Sequence, residues 1–283
     1  MSEAKMIATI AYVAPVPDPA APRPRYHAND LSRDVIKIDN QPMVIVDARN
    51  KANALDIQGF TLVDHHSAVC DWHDAAHVRD IHPQEIIDLL IAQTGADVVV
   101  VSSPGLLRFS ERSAESGVHN NSRPARFAHV DISSSTAEAF AAHNKPEGST
   151  PQRFAHYNVW RALSVPPQDV PLAVCDARSV AAADLIAADA VFDEPDKPEW
   201  SFEGLVVAHN PARQWMYYPN MHAGEALIFK TFDSDPTRAT CVPHVAFDNP
   251  TCPPDTPPRM SIEMRATAYW FAWPLAHMPS EGA

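Results

Sequence analysis

A histidine and an aspartate stand two positions apart in the otherwise apolar segment RFAHVDISSS, residues 126–135. In a β-strand, residues i and i+2 project from the same face, so His129 and Asp131 would point together. Burying a carboxylate beside an imidazole is costly unless a compensating charge is present, and a divalent metal ion supplies one. The spacing therefore predicts two ligands of a metal site.

A third ligand is expected from a distant strand of the same fold. His244 lies in the apolar segment CVPHVAF, residues 241–247. Two histidines and one carboxylate on one side of a metal leave open positions on the other side, as in non-heme Fe(II) oxygenases. The sequence therefore nominates His129, Asp131 and His244 as the metal-binding and catalytic set.

An arginine and a serine follow in PPRMSIEMR, where Arg259 and Ser261 have strand spacing and share a face. A guanidinium forms a bidentate pair with a carboxylate, and a hydroxyl adds a third hydrogen bond. Arg-x-Ser can thus hold the far carboxylate of 2-oxoglutarate while a metal chelates the other end. Arg265, on the same face, and Arg161, in NVWRAL, are the alternative cations.

A rival metal site is conceivable in HHSAVCDWHDAAHV, residues 65–78, where imidazoles and a thiol recur at near-helical intervals. These side chains, which could bind zinc, are His66, Cys70, His73 and His77. The solvated face of a histidine-rich helix explains the same pattern.

Composition limits the classes of partner. The 283 residues carry a formal net charge of -13, and such a field repels phosphate backbones and anionic lipids. No apolar run approaches the roughly 20 residues that span a bilayer, and no GxGxxG or GKS/GKT loop is present. We therefore expect a cytoplasmic protein with a small-molecule substrate and no nucleic-acid or membrane partner; the oligomeric state is left open.

The N-terminal part divides into an arm and a supporting layer. Residues 1–40 contain VAPVPDPAAPRPR, which favours polyproline-type extension and predicts an arm on the domain surface. Residues 41–112 follow as a supporting α/β layer. Its elements are the strand QPMVIVDAR and the segment HPQEIIDLLIAQTGADVVVV, which predicts a helix beginning at Pro83, a glycine stop and a β-branched strand.

From residue 113 to residue 283 the pattern is typical of a jelly-roll core. Short strand candidates are separated by turn signals: RFAHVD, FAHYNVWRAL, PLAVCD, GLVVAHN, QWMYYP, ALIFKTF, VPHVAF and RMSIEMRA. One helix interrupts them, predicted from a capping box formed by Ser135 and Glu138. We therefore predict a mainly β protein with flanking helices, a double-stranded β-helix (jelly roll) that makes residues 41–283 a single domain.

These segments together resemble the Fe(II)/2-oxoglutarate-dependent oxygenases, and within them the branch of gibberellin desaturase and cephamycin methoxylation proteins. The likeness covers roughly residues 41–267 and is strongest after residue 126. The matching segments, in order, are HVD, YNVWRAL, PLAVCDARSV, GLVVAHNPARQWMYYPNMHAGEALIFKTFDS, PHVAF and PRMSIEMRA.

The resemblance implies a dioxygenase that uses Fe(II), 2-oxoglutarate and O2 to hydroxylate or desaturate a small molecule, in the manner of natural-product enzymes. Two alternatives stay open. One is a cupin-type jelly-roll metalloprotein, an isomerase or binding protein that does not use 2-oxoglutarate, and the Arg-x-Ser pair argues against it. The other is an oxygenase that takes all four electrons from its substrate, which succinate release would distinguish.

Overall fold

The computed structural model describes residues 4–15, 18 and 20–272, and these residues form mainly β-strands. The strands are β1 (Lys5–Val13), β2 (Arg25–His27), β3 (Ile38–Asp47), β4 (Phe60–Asp64), β5 (Val98–Val101), β6 (Leu106–Phe109), β7 (His129–Val130), β8 (Arg153–Ala162), β9 (Leu172–Cys175), β10 (Leu185–Phe192), β11 (Trp200–Val207), β12 (Trp215–Tyr217), β13 (Glu225–Asp233), β14 (His244–Ala246) and β15 (Met260–Trp270). The α-helices of the described residues are α1 (Ala75–Thr94) and α2 (Ser134–Asn144), neither of them long and apolar enough to cross a membrane. The predicted class, mainly β with flanking helices, is confirmed.

Strand pairing within the described residues gives two sheets. The larger has the order β1-β3-β12-β9-β14-β7-β11-β10-β2. The smaller has the order β4-β13-β8-β15-β5, and β6 pairs with β15 as well. Strands far apart in sequence lie side by side in both sheets, as the Greek-key connections of a double-sheet jelly roll require.

The N-terminal residues contribute strands to the larger sheet. β1 pairs with β3 along its whole length, and its Ile10 and Tyr12 are fully buried. β2 pairs in parallel with β10. The predicted surface arm, residues 1–40, therefore contains β1, β2 and the start of β3. One face of β1 is buried because the residues of KMIATIAYV alternate in burial before the proline-rich stretch begins.

Buried apolar side chains fill the space between the sheets. One cluster combines Phe60, Trp160 and Phe229 from the smaller sheet with Val174 and Met216 from the larger sheet. A second cluster packs α1 against the smaller sheet. Of the metal-ligand candidates, His129 lies on β7, Asp131 directly follows β7, and His244 lies on β14. The two strands are neighbours in the larger sheet and are thus held by a packed framework.

Helix α1 begins earlier than the sequence predicted. Asp74 is its N-cap and Gly95, at φ +66°, ends it, so Pro83 lies inside the helix and the predicted start there was wrong. Val78 and Ile86, on either side of the proline, are buried. Their packing outweighs the single backbone hydrogen bond that proline removes.

Helix α2 also has a different cap from the predicted one. The Ser133 hydroxyl accepts a hydrogen bond from the Thr136 amide at 3.3 Å, so Ser133 is the N-cap. Ser135, the predicted cap, instead contacts Glu203 through its hydroxyl at 3.2 Å. The three consecutive serines made the register of the cap ambiguous in sequence.

Candidate metal centre

Two neighbouring strands bring the three predicted ligands together. His129 on β7 and His244 on β14 are directly paired in the antiparallel register. The Nε2 atoms of His129 and His244 lie 3.4 Å and 3.7 Å from Asp131 Oδ1. All three side chains are buried, and their ligand atoms lie within 4.8 Å of one another. The structure therefore places the predicted set in one cluster.

The orientation of both imidazoles fits a metal ion. His129 Nδ1 lies 2.9 Å from the Phe127 carbonyl, and His244 Nδ1 lies 3.2 Å from the Val242 carbonyl. Because a carbonyl only accepts, each Nδ1 carries the hydrogen and donates it. Each Nε2 then presents a lone pair toward Asp131, and this donor set of two imidazoles and a carboxylate suits a divalent transition metal.

Charge around Asp131 keeps its carboxylate ionised. Burial alone would raise the pKa of Asp131, but the neighbouring Arg265 guanidinium holds that pKa well below its usual value. Arg265 Nη2 lies 3.4 Å from Asp131 Oδ1 and 2.9 Å from Glu263 Oε1. The site thus combines an anionic ligand with a fixed cation beside it.

The second imidazole is held neutral. Burial lowers the pKa of His244 to about 4, and the neighbouring His129 shifts it in the same direction. At neutral pH, His244 therefore needs to lose no proton before it binds a metal.

Arg259 lines the same narrow cavity as the three ligand candidates, together with Trp160 and Leu172. Its guanidinium donates to the Val170 carbonyl at 2.8 Å and lies 5.8 Å from the centre of the Trp160 ring. Its Nε is buried without a hydrogen-bond partner, and no carboxylate of the described residues forms an ion pair with it. Burial lowers the pKa of Arg259 to about 10. A buried guanidinium without a carboxylate partner favours the approach of an anion.

The other two predicted co-substrate residues differ in position. Ser261, two residues after Arg259, is buried, and its hydroxyl donates to the Arg108 carbonyl at 3.5 Å. Arg161 is outside the narrow cavity, because it alternates with Trp160 along β8 and faces the opposite side. Its guanidinium donates to the carbonyls of His65 and Ala223, so the structure does not bring it to the metal cluster.

Asn158 belongs to the site although sequence reasoning missed it. Its amide Nδ2 donates to Asp131 Oδ2 at 2.6 Å, and the residue is 1% exposed. The signal was a single amide within the fully buried stretch of β8, on the same strand face as Trp160. An amide there needs a polar partner.

The alternative zinc cluster does not form. Among the described residues, the only group with the geometry of a metal site is the one with Asp131. His66 and Cys70 lie in the exposed loop before α1, and His73 contacts Glu115 at 3.4 Å. The histidines of this segment are therefore better described by the second interpretation, in which they face solvent and bind no zinc.

Two larger cavities reach the metal cluster at Asp131 and Arg265. One has a volume of about 600 Å³ and is bordered by Tyr26 and Phe127. The other has a volume of about 790 Å³. Its aromatic wall contains Phe140, Phe192, Trp200 and Phe202. Cavities of this size and character accommodate largely apolar small molecules.

Comparison with known proteins finds relatives along most of the chain. The family model described as "Oxidoreductase/YMDC permease-like domain" matches residues 10–269. The "Hydroxylase/desaturase efuI" of Hormonema carpetanum is 31% identical over 259 residues, 83% of this chain and 85% of the relative. The "Fe(II)/2-oxoglutarate-dependent dioxygenase nvfI" of Aspergillus novofumigatus is 29% identical over 235 residues, 79% of this chain and 81% of the relative.

Among solved structures, the iron and alpha-ketoglutarate-dependent endoperoxidase NvfI superposes with a TM-score of 0.82. The superposition covers 95% of this chain and 99% of the other, at 24% sequence identity. The likeness confirms the predicted jelly-roll fold.

Proposed function

The chain belongs to the Fe(II)/2-oxoglutarate-dependent hydroxylase/desaturase family, and we propose that His129, Asp131 and His244 are the ligands of its iron. The protein is a dioxygenase that uses Fe(II) and 2-oxoglutarate, and the alternative of a cupin-type protein without 2-oxoglutarate is set aside. The observation that carries the ligand assignment is the convergence of two free Nε2 atoms on one ionised carboxylate oxygen.

Iron bound to these residues supplies the redox chemistry: O2 and 2-oxoglutarate become succinate and CO2, and the substrate gains a hydroxyl or loses two hydrogens as water forms. The protein residues supply the geometry. His129 and His244 donate from Nε2 because backbone carbonyls fix their Nδ1 atoms. Asp131 offers Oδ1, and the buried surroundings exclude bulk water from this side of the site.

Arg259 is our candidate for the far carboxylate of 2-oxoglutarate, and Ser261 assists it from the same strand. Arg259 combines burial, a lack of carboxylate partners and a place in the cavity of the metal cluster. The free volume of that cavity is about 20 Å³, about that of one water, and the cavity shares His129 and Asp131 with the adjoining cavity of about 600 Å³. Arg161, which faces away, has no role in this proposal.

The substrate is, on this account, a natural product with a mostly apolar skeleton. The two larger cavities support this class, because they meet at the carboxylate ligand and one carries an aromatic wall. A charged, compact metabolite would leave that wall without partners. Substrate placement beside the iron decides between hydroxylation and desaturation.

Succinate release tests the assignment. Wild-type protein with Fe(II), 2-oxoglutarate and O2 should form succinate, faster when a panel of apolar polycyclic compounds contains a substrate. Asp131→Ala should reduce succinate formation to background while leaving the far-ultraviolet circular dichroism unchanged. Asp255→Ala, which removes an exposed carboxylate, is the matched control and should keep the wild-type rate. Turnover by Asp131→Ala at the wild-type rate would refute the ligand assignment.

A further inference from the structure

The two oxygens of Asp131 are contacted by a pair of residues that face each other across the smaller sheet. Asn158 on β8 and Arg265 on β15 are direct partners in the antiparallel register. Asn158 Nδ2 donates to Oδ2 at 2.6 Å, while Arg265 Nη2 approaches Oδ1 at 3.4 Å. The smaller sheet therefore holds the carboxylate that the larger sheet presents.

Oδ1 faces competing cations. It is the oxygen near both imidazoles, where the metal would bind, and it is also the oxygen near Arg265. A guanidinium frequently forms a bidentate pair with a carboxylate. Arg265 already contacts Glu263 Oε1 through Nε and Nη2, at 3.0 Å and 2.9 Å, and Nη2 is the atom that approaches Asp131. A bidentate pair with Arg265 would withdraw Asp131 from the metal. The amide of Asn158 prevents the rotation because it holds Oδ2 on the other side.

We propose that Asn158 is a positioning residue that keeps Asp131 turned toward the two imidazoles and out of a bidentate pair with Arg265. This inference rests on the proposed metal centre. Asn158 is buried, and the hydrogen bond that the structure gives its side chain goes to Asp131. Burying an amide is costly unless it is hydrogen-bonded, so packing alone does not explain an amide there.

Cobalt(II) alone is the probe, added to the metal-free full-length protein and followed by calorimetry and visible absorption. Asn158→Leu should weaken Co(II) binding by about 10- to 100-fold, the usual effect of losing a residue that orients a ligand. Its absorption bands should also differ, because the carboxylate no longer has one fixed orientation. Asn158→Ser, which lacks the amide and adds no bulk, should behave in the same way.

Thr267→Val is the matched control. The Thr267 hydroxyl donates to His156 Nδ1 at 3.0 Å, and these residues are paired across the same two strands, two positions along from Asn158 and Arg265. The control therefore removes an equivalent buried hydrogen bond that does not touch Asp131. Its Co(II) affinity and spectrum should match those of the wild type.

The double variant Asn158→Leu/Arg265→Met separates positioning from general damage. Removing the competing guanidinium should restore much of the Co(II) affinity that Asn158→Leu loses. Equal affinities for wild type, both Asn158 variants and Thr267→Val would overturn the inference, and so would a double variant no tighter than Asn158→Leu. Failure of the wild-type protein to bind Co(II) would instead refute the proposed metal centre.

Discussion

At the residue scale, the ligand set could be predicted because strand geometry makes a two-residue spacing meaningful. His129 and Asp131 stand on one face for that reason, and His244 was found as the imidazole in a distant apolar strand. Asn158 could not be found in the same way, because a single amide forms no spaced pair with another polar residue in the sequence. Arg161 and Arg259 look alike in sequence, and only the alternation along β8 separates them.

His156 should make the stability of the protein depend on pH. Burial lowers its pKa to about 4 from an ordinary 6.5, while both nitrogens are already hydrogen-bonded in the neutral form, to Ala137 O and Thr267 Oγ1. Between those pH values, His156 is protonated in the unfolded chain but stays neutral in the folded protein. The free energy of unfolding therefore falls as the pH drops from 6.5 to 4, by about 3 kcal/mol from this residue.

Urea unfolding at pH 7 and pH 4.5 measures this contribution. His156→Gln removes the titrating group, so the variant should lose about 2 to 3 kcal/mol less than the wild type over this interval. Other titrating groups contribute to both proteins and cancel in the comparison. Parallel losses in the two proteins would show that His156 does not carry the effect.

At the element scale, the strand segments were predictable but their partners were not. Apolar runs bounded by turn signals located most strands from β7 onward, whereas β1, β2, β4, β6 and β10 were missed. Pairing of β7 with both β11 and β14 depends on contacts between segments far apart in sequence, which no local pattern encodes. The start of α1 was misplaced because tertiary packing retained a proline inside the helix.

Gly204 is a position where the element tolerates no side chain. It lies on β11 next to the Leu205–Val130 pair, and a Cβ there would come within 2.7 Å of the Tyr26 hydroxyl and 2.9 Å of the Asp131 carbonyl oxygen. The second contact is with backbone, which cannot turn away. Gly204→Ala should therefore destabilise the protein by about 1 to 3 kcal/mol and weaken Co(II) binding, because β7 must shift.

Gly224→Ala provides the comparison for this prediction. Its added Cβ would meet the imidazole tips of His66 and His222, which are exposed and can rotate. Thermal unfolding and Co(II) titration of both variants should show a loss for Gly204→Ala alone. Similar behaviour of the two variants would contradict the role assigned to Gly204.

At the scale of the whole molecule, the first 112 residues are part of both sheets. β3 pairs with β12, β4 with β13, and β5 and β6 with β15. The sequence indicated a supporting layer here, because this part of the chain carried no chemical motif as specific as the later one. It could not show that the layer completes both sheets, since the pairing partners lie more than a hundred residues away.

Residues 113–283 expressed alone should therefore be insoluble. The fragment would expose the edges of β13 and β15 and the apolar face that α1 covers, and such surfaces aggregate. Solubility and size-exclusion chromatography, with the full-length chain as the control, measure the outcome. A soluble fragment that releases succinate would show that the two parts fold separately.

In the proposed site, His129, Asp131 and His244 bind iron, and Arg259 holds the far carboxylate of the 2-oxoglutarate that is chelated beside them. The most direct test is an anaerobic titration of the Fe(II)-loaded protein with 2-oxoglutarate, following the visible charge-transfer band that chelation produces. We expect a saturable band in the wild type and in Arg161→Ala. Loss of a largely desolvated charge pair costs about 2 to 5 kcal/mol, so Arg259→Ala should need at least tens-fold more 2-oxoglutarate. A wild-type protein without the band would contradict the proposed site, and so would unchanged affinity in Arg259→Ala with a collapse in Arg161→Ala.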